Sequence, residues 1–584
     1  MTPQMHAELT ADGTTIVMVP DADAVIACLP VLKTATPLFK PSKPPGAILL
    51  PVTWAAVVQL AGILGPAWCP GPRLTGWVAH ALTERSPTHP RAALSVPPPA
   101  GRVPRPYQVE GALMIGTIGR VLLFDDPGTG KTITAILGLV ERAEVATVDP
   151  VVCVVPGSVV DSWINEWRAW APDWRVVAWR GSPASRAALA GTADVYVAGY
   201  DTARNDAADA RGPLVMLNAA TVIADECHFL KTPTAQRSLA VRRLARHAAN
   251  FIALSGTPIT HHPGDLWPAL EGLEPLAYPS RTRFVDRYCD QIRGDYETRI
   301  VGLNRFTEPE FRLSLLGQHR RVAKADVLTQ LPPKIYSVRH VEIPPAWRQT
   351  YDDMEETMFA ELPDGGGELS VMNVLTQLTV LSRLASSAAD VEITTEIDPE
   401  TDLEKRHIHL ILKAPCWKAA ALVEILTERS GSPVVTFSPS RQLTVLVGAA
   451  AEKAGFSVGY VVGGQKPADR TDTIDAFQAG KFDLLAATTG VGGTGLTLTA
   501  AGTVVFTQRP WSLVEALQAE DRCHRIGSEI HDVIEVIDIV ATNTVETRVR
   551  EVLRSKAGQL AALLQDPRIA AQVLGGTRLG KGNK

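Results

Sequence analysis

Short, predominantly apolar segments recur along the middle of the chain, and each is followed by small or polar residues. Residues 121–124, 221–224 and 251–254 are three of these segments. Apolar runs of this length between turn residues are typical of strands that are buried on both faces, as in parallel sheets. The residues after the first run have the spacing of a helix, so this region is predicted to be an α/β lobe.

A second region repeats the alternation further along the chain. Residues 433–438 form an apolar run between two segments with helical spacing, residues 419–426 and residues 442–454. This pattern predicts a second α/β lobe with its own parallel sheet.

The segments outside the lobes complete the domain plan. Candidate strands at residues 15–19 and 47–50 and a candidate helix at residues 54–64 predict a small N-terminal α+β module. Seven prolines between Pro87 and Pro106 exclude a continuous helix and predict a linker. The plan is an N-terminal module at 1–95, a first lobe at 96–335, a helical inter-lobe region at 336–415, a second lobe at 416–555, and a C-terminal helix and tail at 556–584.

The inter-lobe region and the C-terminus are predicted from helical spacing. Residues 346–362 and 375–388 are expected to be helices, and the acid-rich residues 392–406 are expected to be a solvated excursion. Residues 545–564 are expected to form a closing helix.

A glycine-rich segment, residues 125–132 with the sequence DDPGTGKT, follows the first apolar run and opens a helix. Such a loop presents backbone N–H groups and the positive end of the helix dipole to a phosphate. The candidate nucleotide-binding residues are Pro127, Gly128, Thr129, Gly130, Lys131 and Thr132. Lys131 is expected to reach the β and γ phosphates of ATP, and Thr132 to hold Mg²⁺. The strict spacing would put a glycine at Asp125, and the alternative for this segment is a surface turn.

Two adjacent carboxylates, Asp225 and Glu226, come directly after residues 221–224. Beside a phosphate loop, one acid suits a magnesium ion and the other suits polarising the attacking water. We therefore expect Asp225 to be a metal ligand and Glu226 to be the catalytic base. The alternative is an ordinary solvated strand end.

A third cluster, residues 518–527 with the sequence QAEDRCHRIG, lies about 390 residues after the loop. On a predicted helix, spacings of three and four residues put Gln518, Arg522 and Arg525 on one face. Guanidinium groups suit the spread negative charge of a phosphoryl-transfer transition state. These residues are predicted to complete the catalytic set with Lys131 and the acid pair. The alternative is a surface helix with salt-bridged arginines.

Composition narrows the class of protein without identifying it. No apolar run reaches the roughly 18 residues of a membrane span, and the N-terminus has no secretory signal pattern, so a cytoplasmic protein is expected. The seven cysteines are dispersed, so neither zinc nor a disulfide framework is predicted. A net charge of −5 does not indicate a nucleic-acid binder, although local positive charge is enough for phosphate affinity. Arginine outnumbers lysine by 41 to 16, which favours a bacterial or phage source.

The order of these segments resembles that of the second helicase superfamily. The residues within the segments resemble the motifs of its Swi/Snf branch, over roughly residues 104–555. Residues 105–108 (RPYQ) resemble the segment whose glutamine reads adenine, which makes Gln108 a nucleotide contact. Residues 225–231 (DECHFLK) resemble the family's D-E-A-H-x-L-K block. Residues 321–334 resemble its R-R-x-K-x-D-V … L-P-P-K signature, with Val322 in place of the second arginine.

The resemblance implies two tandem RecA-like lobes and a DNA-dependent ATPase that translocates on double-stranded DNA and remodels DNA or protein–DNA complexes. ATP and Mg²⁺ are implied as cofactors, and DNA-bound proteins as partners, with no membrane partner. The implied DNA contacts are Pro156, Tyr200, Thr202, Ser438, Thr488 and Gly492. Two alternatives stay open: a strand-separating or annealing helicase on forked DNA or RNA, and a nucleotide-gated DNA-binding factor with slow turnover. Residues 24–64 resemble the module of annealing helicases, and a structural cap is the alternative.

Overall fold

The computed structural model divides the chain into two compact units, residues 1–327 and residues 328–584. It describes residues 4–20, 32, 34–38, 40–41, 47–85, 93–259, 262–293, 298–360, 379–397, 404–492, 496–510 and 512–547. No helix within these ranges is long and apolar enough to cross a membrane.

A five-stranded sheet forms the N-terminal part of the first unit. Its strands are β1 (Met5–Leu9), β2 (Thr15–Pro20), β3 (Lys40–Pro41), β4 (Ile48–Pro51) and β5 (Trp68–Pro70), in the order β3-β4-β2-β1-β5. Helices Trp54–Leu64 and Pro72–Glu84 supply apolar residues to the same core. The structure contains the two predicted strands and the first helix, whereas β1, β3, β5 and the second helix were not predicted.

This N-terminal module packs on the later part of the first unit through buried polar contacts. The Trp54 indole N–H donates to the Leu313 carbonyl at 2.8 Å, and the Thr36 hydroxyl donates to the Ala277 carbonyl at 2.6 Å. A Cβ added at Gly62 would lie 2.6 Å from Glu310 Oε2, so the helix backbone passes close to that carboxylate. The module is therefore an integral part of the unit.

A seven-stranded parallel sheet is the centre of the first lobe. Its first six strands are β6 (Arg120–Leu123), β7 (Val151–Val155), β8 (Val176–Ala178), β9 (Val195–Gly199), β10 (Thr221–Ala224) and β11 (Asn250–Leu254). A separate hairpin of β12 (Cys289–Arg293) and β13 (Thr298–Leu303) follows in the chain. The seventh strand of the sheet is β14 (His319–Arg320). The order is β14-β6-β11-β10-β7-β9-β8. Strands β7, β10 and β11 are buried at every position, as expected for strands covered on both faces.

The α-helices of the first lobe alternate with these strands. They are Pro106–Ile118, Lys131–Ala143, Val160–Trp170, Pro183–Ala187, Tyr200–Asp206, Pro213–Met216, Gln236–His247, Trp267–Leu273, Arg281–Tyr288, Glu308–Ser314 and Lys324–Val327. Trp163 and Trp167 of helix Val160–Trp170 join the apolar strand residues in one core.

A six-stranded parallel sheet is the centre of the second unit. Its strands are β15 (Lys334–Val341), β18 (Val434–Ser438), β19 (Val458–Val461), β20 (Leu484–Thr488), β21 (Thr503–Phe506) and β22 (Ile534–Ala541), in the order β15-β22-β21-β18-β20-β19. The helices are Pro345–Ala360, Trp417–Glu428, Arg441–Lys453, Pro467–Gln478, Thr489–Gly492 and Leu513–Cys523. The prediction of two α/β lobes is confirmed.

The first unit of the structure ends before the boundary that was predicted after residue 335. The first unit ends at Val327, and β15 pairs along its whole length with β22 of the second sheet. Residues 328–335 therefore belong to the second unit, whereas the predicted plan includes them in the first lobe. Strand pairing with a segment about 200 residues later in the chain decides their place.

The inter-lobe region was predicted to be helical. The structure contains both a helix and two strands there. Helix Pro345–Ala360 is present, but β16 (Ala388–Ile397) and β17 (Glu404–Lys413) form an antiparallel hairpin where a solvated excursion was expected. Apolar and polar residues alternate from Val391 to Thr394 and from His407 to Leu410, which is the period of a strand. The acidic composition had obscured this alternation.

Several predicted segments fall partly or wholly outside the described residues, among them residues 24–64, 346–362 and 392–406. Of the helix predicted at 375–388, residues 379–384 are helical and Ala388 begins β16. The helix predicted at 545–564 is described only to residue 547, and the tail at 556–584 lies outside the described ranges.

Candidate nucleotide site

Three motifs of the first lobe lie at one edge of its sheet because their strands are neighbours. Strands β6, β11 and β10 are consecutive and parallel, so the segments that follow them leave at the same edge. The segment after β6 is the glycine-rich loop, the segment after β11 begins with Ser255, and the segment after β10 begins with Asp225. The strand order therefore gathers residues that are far apart in sequence.

Left-handed backbone at two glycines shapes the glycine-rich loop. Gly128 has a φ of 80° and Gly130 a φ of 82°, values that favour glycine. Gly130 precedes helix Lys131–Ala143 and provides no side-chain cap, which leaves N–H groups of the first turn for an anion. The Lys131 ammonium donates to the carbonyls of Asp125 at 2.8 Å and Asp126 at 3.2 Å. The loop thus has the donors that a nucleotide phosphate requires.

Gln108 lies directly against this loop. Its amide donates to the Thr129 carbonyl at 3.0 Å, and its Oε1 accepts from the Arg105 N–H at 2.9 Å. The Tyr107 hydroxyl donates to the same Thr129 carbonyl at 2.9 Å. A Cβ at Gly130 would lie 2.4 Å from Gln108 Nε2, so a larger residue would displace one or the other. The contact of Gln108 with adenine stays a prediction.

The two aspartates of the loop are bonded from the segment that follows β14. Asp125 Oδ1 accepts from the Val322 N–H at 2.9 Å, and burial raises the pKa of Asp125. Asp126 accepts from the Arg321 guanidinium and from the Lys324 N–H, each at 2.9 Å. The replacement of the family's second arginine by Val322 leaves this position its backbone donor.

The acid pair after β10 is held by an indole and a phenol. The Trp163 N–H donates to Asp225 Oδ2 at 2.8 Å, and the Tyr200 hydroxyl donates to the Asp225 carbonyl at 2.7 Å. Desolvation, together with the neighbouring Glu226 carboxylate, raises the pKa of Asp225 to about 6. Glu226 has a φ of 49°, a conformation that costs free energy in a residue other than glycine and occurs most often at functional sites.

His228 connects the acid pair to the segment after β11. Its Nδ1 lies 3.2 Å from Glu226 Oε2 and 3.2 Å from the Ser255 hydroxyl. The Ser255 hydroxyl also accepts from the Thr257 N–H at 3.1 Å. One imidazole therefore contacts both the candidate base and the neighbouring motif.

The residues of this site fit a magnesium nucleotide. A lysine at an uncapped helix N-terminus suits phosphate oxygens. The raised pKa of Asp225 indicates a carboxylate whose negative charge lacks sufficient compensation in the chain itself. Thr132, in the first turn of the helix, and Asp225 would hold the metal, as the sequence predicts.

The arginine cluster of the second unit differs from its prediction in one respect. Helix Leu513–Cys523 ends before Arg525, so Gln518, Arg522 and Arg525 do not share one helical face. Gly527 has a φ of 102°, and the chain turns after the helix. Arg525 donates to the Leu496 carbonyl at 3.0 Å and to the Thr497 hydroxyl at 2.9 Å. Thr497 thus helps to hold this arginine in place.

The predicted DNA contacts are mostly buried in the chain. Tyr200, Ser438 and Thr488 have at most 7% of their surface exposed, and Pro156 is also buried. Thr202 is half-buried, and Gly492 is the last residue of helix Thr489–Gly492. Gly157 and Ser158, which follow Pro156, are exposed. The assignment of these positions to DNA stays a prediction.

Trp163 and His228 were not among the predicted site residues. His228 belongs to residues 225–231, which resemble a family block, and that resemblance was the available signal for it. The roles of their side chains depend on contacts across 62 and 27 residues of sequence, respectively, with Asp225 and Ser255. Only the packing of helix Val160–Trp170 under the sheet edge reveals the first of these contacts.

Comparison with known families gives two matches within the chain. The SNF2-related domain matches residues 108–388, and the helicase conserved C-terminal domain matches residues 417–527. The hairpin of β16 and β17 lies almost entirely between the two matches.

The chain is similar to several curated proteins over about three quarters of its length. It is 28% identical over 511 residues to the TATA-binding protein-associated factor mot1 of Aspergillus fumigatus, covering 77% of this chain and 26% of that protein. It is 27% identical over 475 residues to the DNA annealing helicase and endonuclease ZRANB3 of Mus musculus, covering 77% and 40%. The chain thus spans between about a quarter and two fifths of the length of these relatives.

Among solved structures, the chain is similar to the SWI2/SNF2 ATPase core of Sulfolobus solfataricus in complex with dsDNA. The identity is 20%, the TM-score is 0.37, and the match covers 81% of this chain and 97% of that chain.

Proposed function

The chain belongs to the Swi/Snf family of helicase-like ATPases, and we propose that it is an ATP-driven translocase on double-stranded DNA. Its cycle would couple ATP hydrolysis to movement along the duplex, and thereby to remodelling of DNA or of protein–DNA complexes.

The observation that carries the proposal is the meeting of loop, acid pair and Ser255 at one sheet edge. A phosphate-binding lysine and two acids at adjacent strand ends suit phosphoryl transfer to water better than nucleotide storage. The contacts of His228 with Glu226 and Ser255 connect the candidate base to the segment that follows β11.

The proposed chemistry assigns one role to each side chain of the first lobe. Lys131 would bind the β and γ phosphates of ATP, and Gln108 would orient the base. Glu226 would take the proton of the attacking water on its carboxylate, while Trp163 holds Asp225 in place by its 2.8 Å hydrogen bond. Bound Mg²⁺ supplies positive charge that neutralises the phosphate oxygens. Arg522 and Arg525 are proposed to stabilise the charge of the transition state.

Double-stranded DNA is proposed as the track because the family match is supported by relatives that are named for DNA-related roles. Contacts to the phosphate backbone carry no sequence information, so binding is expected to tolerate any sequence and to weaken with salt. An overall charge of −5 is compatible with this, because the motor must release its track at each step.

The test is steady-state ATP hydrolysis with no nucleic acid, single-stranded DNA, plain duplex DNA, forked DNA and duplex RNA, at two salt concentrations. We expect strong stimulation by plain duplex DNA and less stimulation at the higher salt. A preference for forks would favour the annealing helicase, and stimulation only by single strands or RNA would refute the choice of track. A low turnover that no nucleic acid changes would favour the slow DNA-binding factor.

The matched variants are Lys131→Ala in the loop and Lys231→Ala, which lies outside the proposed catalytic set. Lys131→Ala should abolish DNA-stimulated turnover because the phosphates lose their cation. Intact stimulated turnover in Lys131→Ala would refute the assignment of the loop.

A further inference from the structure

A group of buried charged side chains lies behind helix Leu513–Cys523 in the second unit. Lys334, the first residue of β15, has its Nζ 3.2 Å from Glu520 Oε2 and 3.1 Å from Asp521 Oδ1. The side chains of Lys334, Glu520 and Asp521 are 4%, 0% and 12% exposed. One ammonium therefore bridges two successive acids of the helix.

Further bonds hold Glu520 from β15 itself and from the segment that follows β21. The Tyr336 hydroxyl donates to Glu520 Oε2 at 3.0 Å, and Arg509 lies 3.1 Å from Glu520 Oε1. Arg509 is itself held by Asp538 of β22 at 2.9 Å. The helix is thus bonded to β15 and, through Arg509, to β22.

Of the two proposed transition-state arginines, Arg522 lies in the last turn of this helix and Arg525 lies two residues beyond its end. Asp521 directly precedes Arg522, whose carbonyl accepts from the Leu498 N–H at 2.9 Å. One turn later, the His524 ring is 2.9 Å from the Pro332 carbonyl, two residues before Lys334. Residues 332–336 therefore touch this segment at three successive places in the chain, Glu520, Asp521 and His524.

Stability alone is a weak reason for such a group. Replacing a buried ion pair by well-packed apolar residues is often neutral or stabilising, so a retained pair is better explained by the geometry it imposes. Burial opposes the charge of Lys334, yet the carboxylates of Asp521 and Glu520 outweigh it and raise its pKa. The lysine therefore stays charged across the physiological pH range.

We propose that Lys334 is a positioning residue for ATP hydrolysis, which fixes the end of helix Leu513–Cys523 through Glu520 and Asp521 and so directs the guanidinium of Arg522. This inference rests on the proposed ATPase function. Its consequence is that β15, the first strand after the boundary between the units, sets the geometry of the arginine segment.

The experiment compares Lys334→Met, Lys334→Arg and wild type in duplex-stimulated ATP hydrolysis, with thermal unfolding measured for each. Lys334→Met should lower kcat about tenfold or more and leave KM for ATP within about twofold, because the arginines act on the transition state. Lys334→Arg, which keeps the charge, should recover most of kcat.

Lys418→Met is the matched control. Lys418 is equally buried and pairs with Glu546, but its contacts include neither the arginines nor the helix that carries them. At a temperature where all variants are folded, Lys418→Met should lose stability and keep its kcat. Equal losses of kcat in Lys418→Met and Lys334→Met would reduce Lys334 to a structural role and overturn the proposal.

If Lys334→Met does not fold, Asp521→Asn replaces it in the experiment. In Asp521→Asn, Lys334 keeps Glu520 as its partner. We expect a lower kcat at unchanged KM, and a wild-type kcat would overturn the inference. A wild-type protein that hydrolyses no ATP with any nucleic acid would refute the proposed function instead. An active wild type with a fully active, folded Lys334→Met would refute only the role of Lys334.

Discussion

The substitution Asp225→Asn should stabilise the nucleotide-free protein while it removes ATP hydrolysis. The carboxylate lies in a partly buried position beside Glu226, where desolvation and the like charge raise its pKa to about 6 from an ordinary value of 3.8. Asparagine has nearly the same shape and carries no charge, and its one oxygen can accept from either the Trp163 N–H or the Glu226 N–H, whereas the carboxylate accepts from both. The site would lose an electrostatic cost along with its function.

The raised pKa sets both the size and the sign of the effect. Above pH 6, the folded protein holds an ionised carboxylate that the unfolded chain accommodates more easily. The difference between the two pKa values corresponds to about 3 kcal/mol, and the loss of one of the two hydrogen bonds to the carboxylate leaves an expected gain of about 1 to 3 kcal/mol. Below pH 3.8 the group is protonated in both states, so the cost is present at neutral pH and disappears as the pH falls through 6 towards 3.8.

The assay is urea unfolding in EDTA without nucleotide, at pH 8 and at pH 4.5, followed by tryptophan fluorescence. Nine of the 12 tryptophans precede residue 328, so the signal reports mainly on the first unit. We expect Asp225→Asn to be more stable than wild type at pH 8 and to lose most of that advantage at pH 4.5.

Asp201→Asn is the control, because the Asp201 side chain is 88% exposed. This substitution should leave the free energy of unfolding nearly unchanged at either pH. The reasoning would be refuted if Asp225→Asn were no more stable than wild type at pH 8. It would also be refuted if the gain were the same at both pH values.

Two further predictions concern packing. Lys418→Met should lower the free energy of unfolding in urea by about 3 to 5 kcal/mol, because it leaves the buried Glu546 without its cation. The added change Glu546→Gln should restore most of that stability. A double variant no more stable than Lys418→Met would contradict this. Gly111→Ala should lower the free energy of unfolding by about 1 to 3 kcal/mol, since a Cβ there would clash with the Arg320 guanidinium. Gly76→Ala, at an open position of a helix, should leave the stability unchanged or raise it. Equal unfolding midpoints for the two variants would contradict this.

The comparison of prediction and structure separates local from long-range causes. The glycines and lysine of the loop were identified correctly as a strand-to-helix loop because its conformation depends on neighbouring residues. The helix ending at Cys523 was predicted to run to Arg525, because helical spacing alone contains no record of the turn at Gly527. The hairpin of β16 and β17 was missed because an acid-rich composition was given more weight than an alternating pattern.

The sequence by itself determined the two α/β lobes, the phosphate loop and the positions of the acids, because apolar runs, glycine and charge act within a few residues. Tertiary structure decided which of these residues meet. The strand order places the segments after β6, β11 and β10 side by side, and the bonds of Trp163 to Asp225 and of Lys334 to Glu520 span 62 and 186 residues. Such contacts depend on how whole elements pack, and no local pattern encodes them.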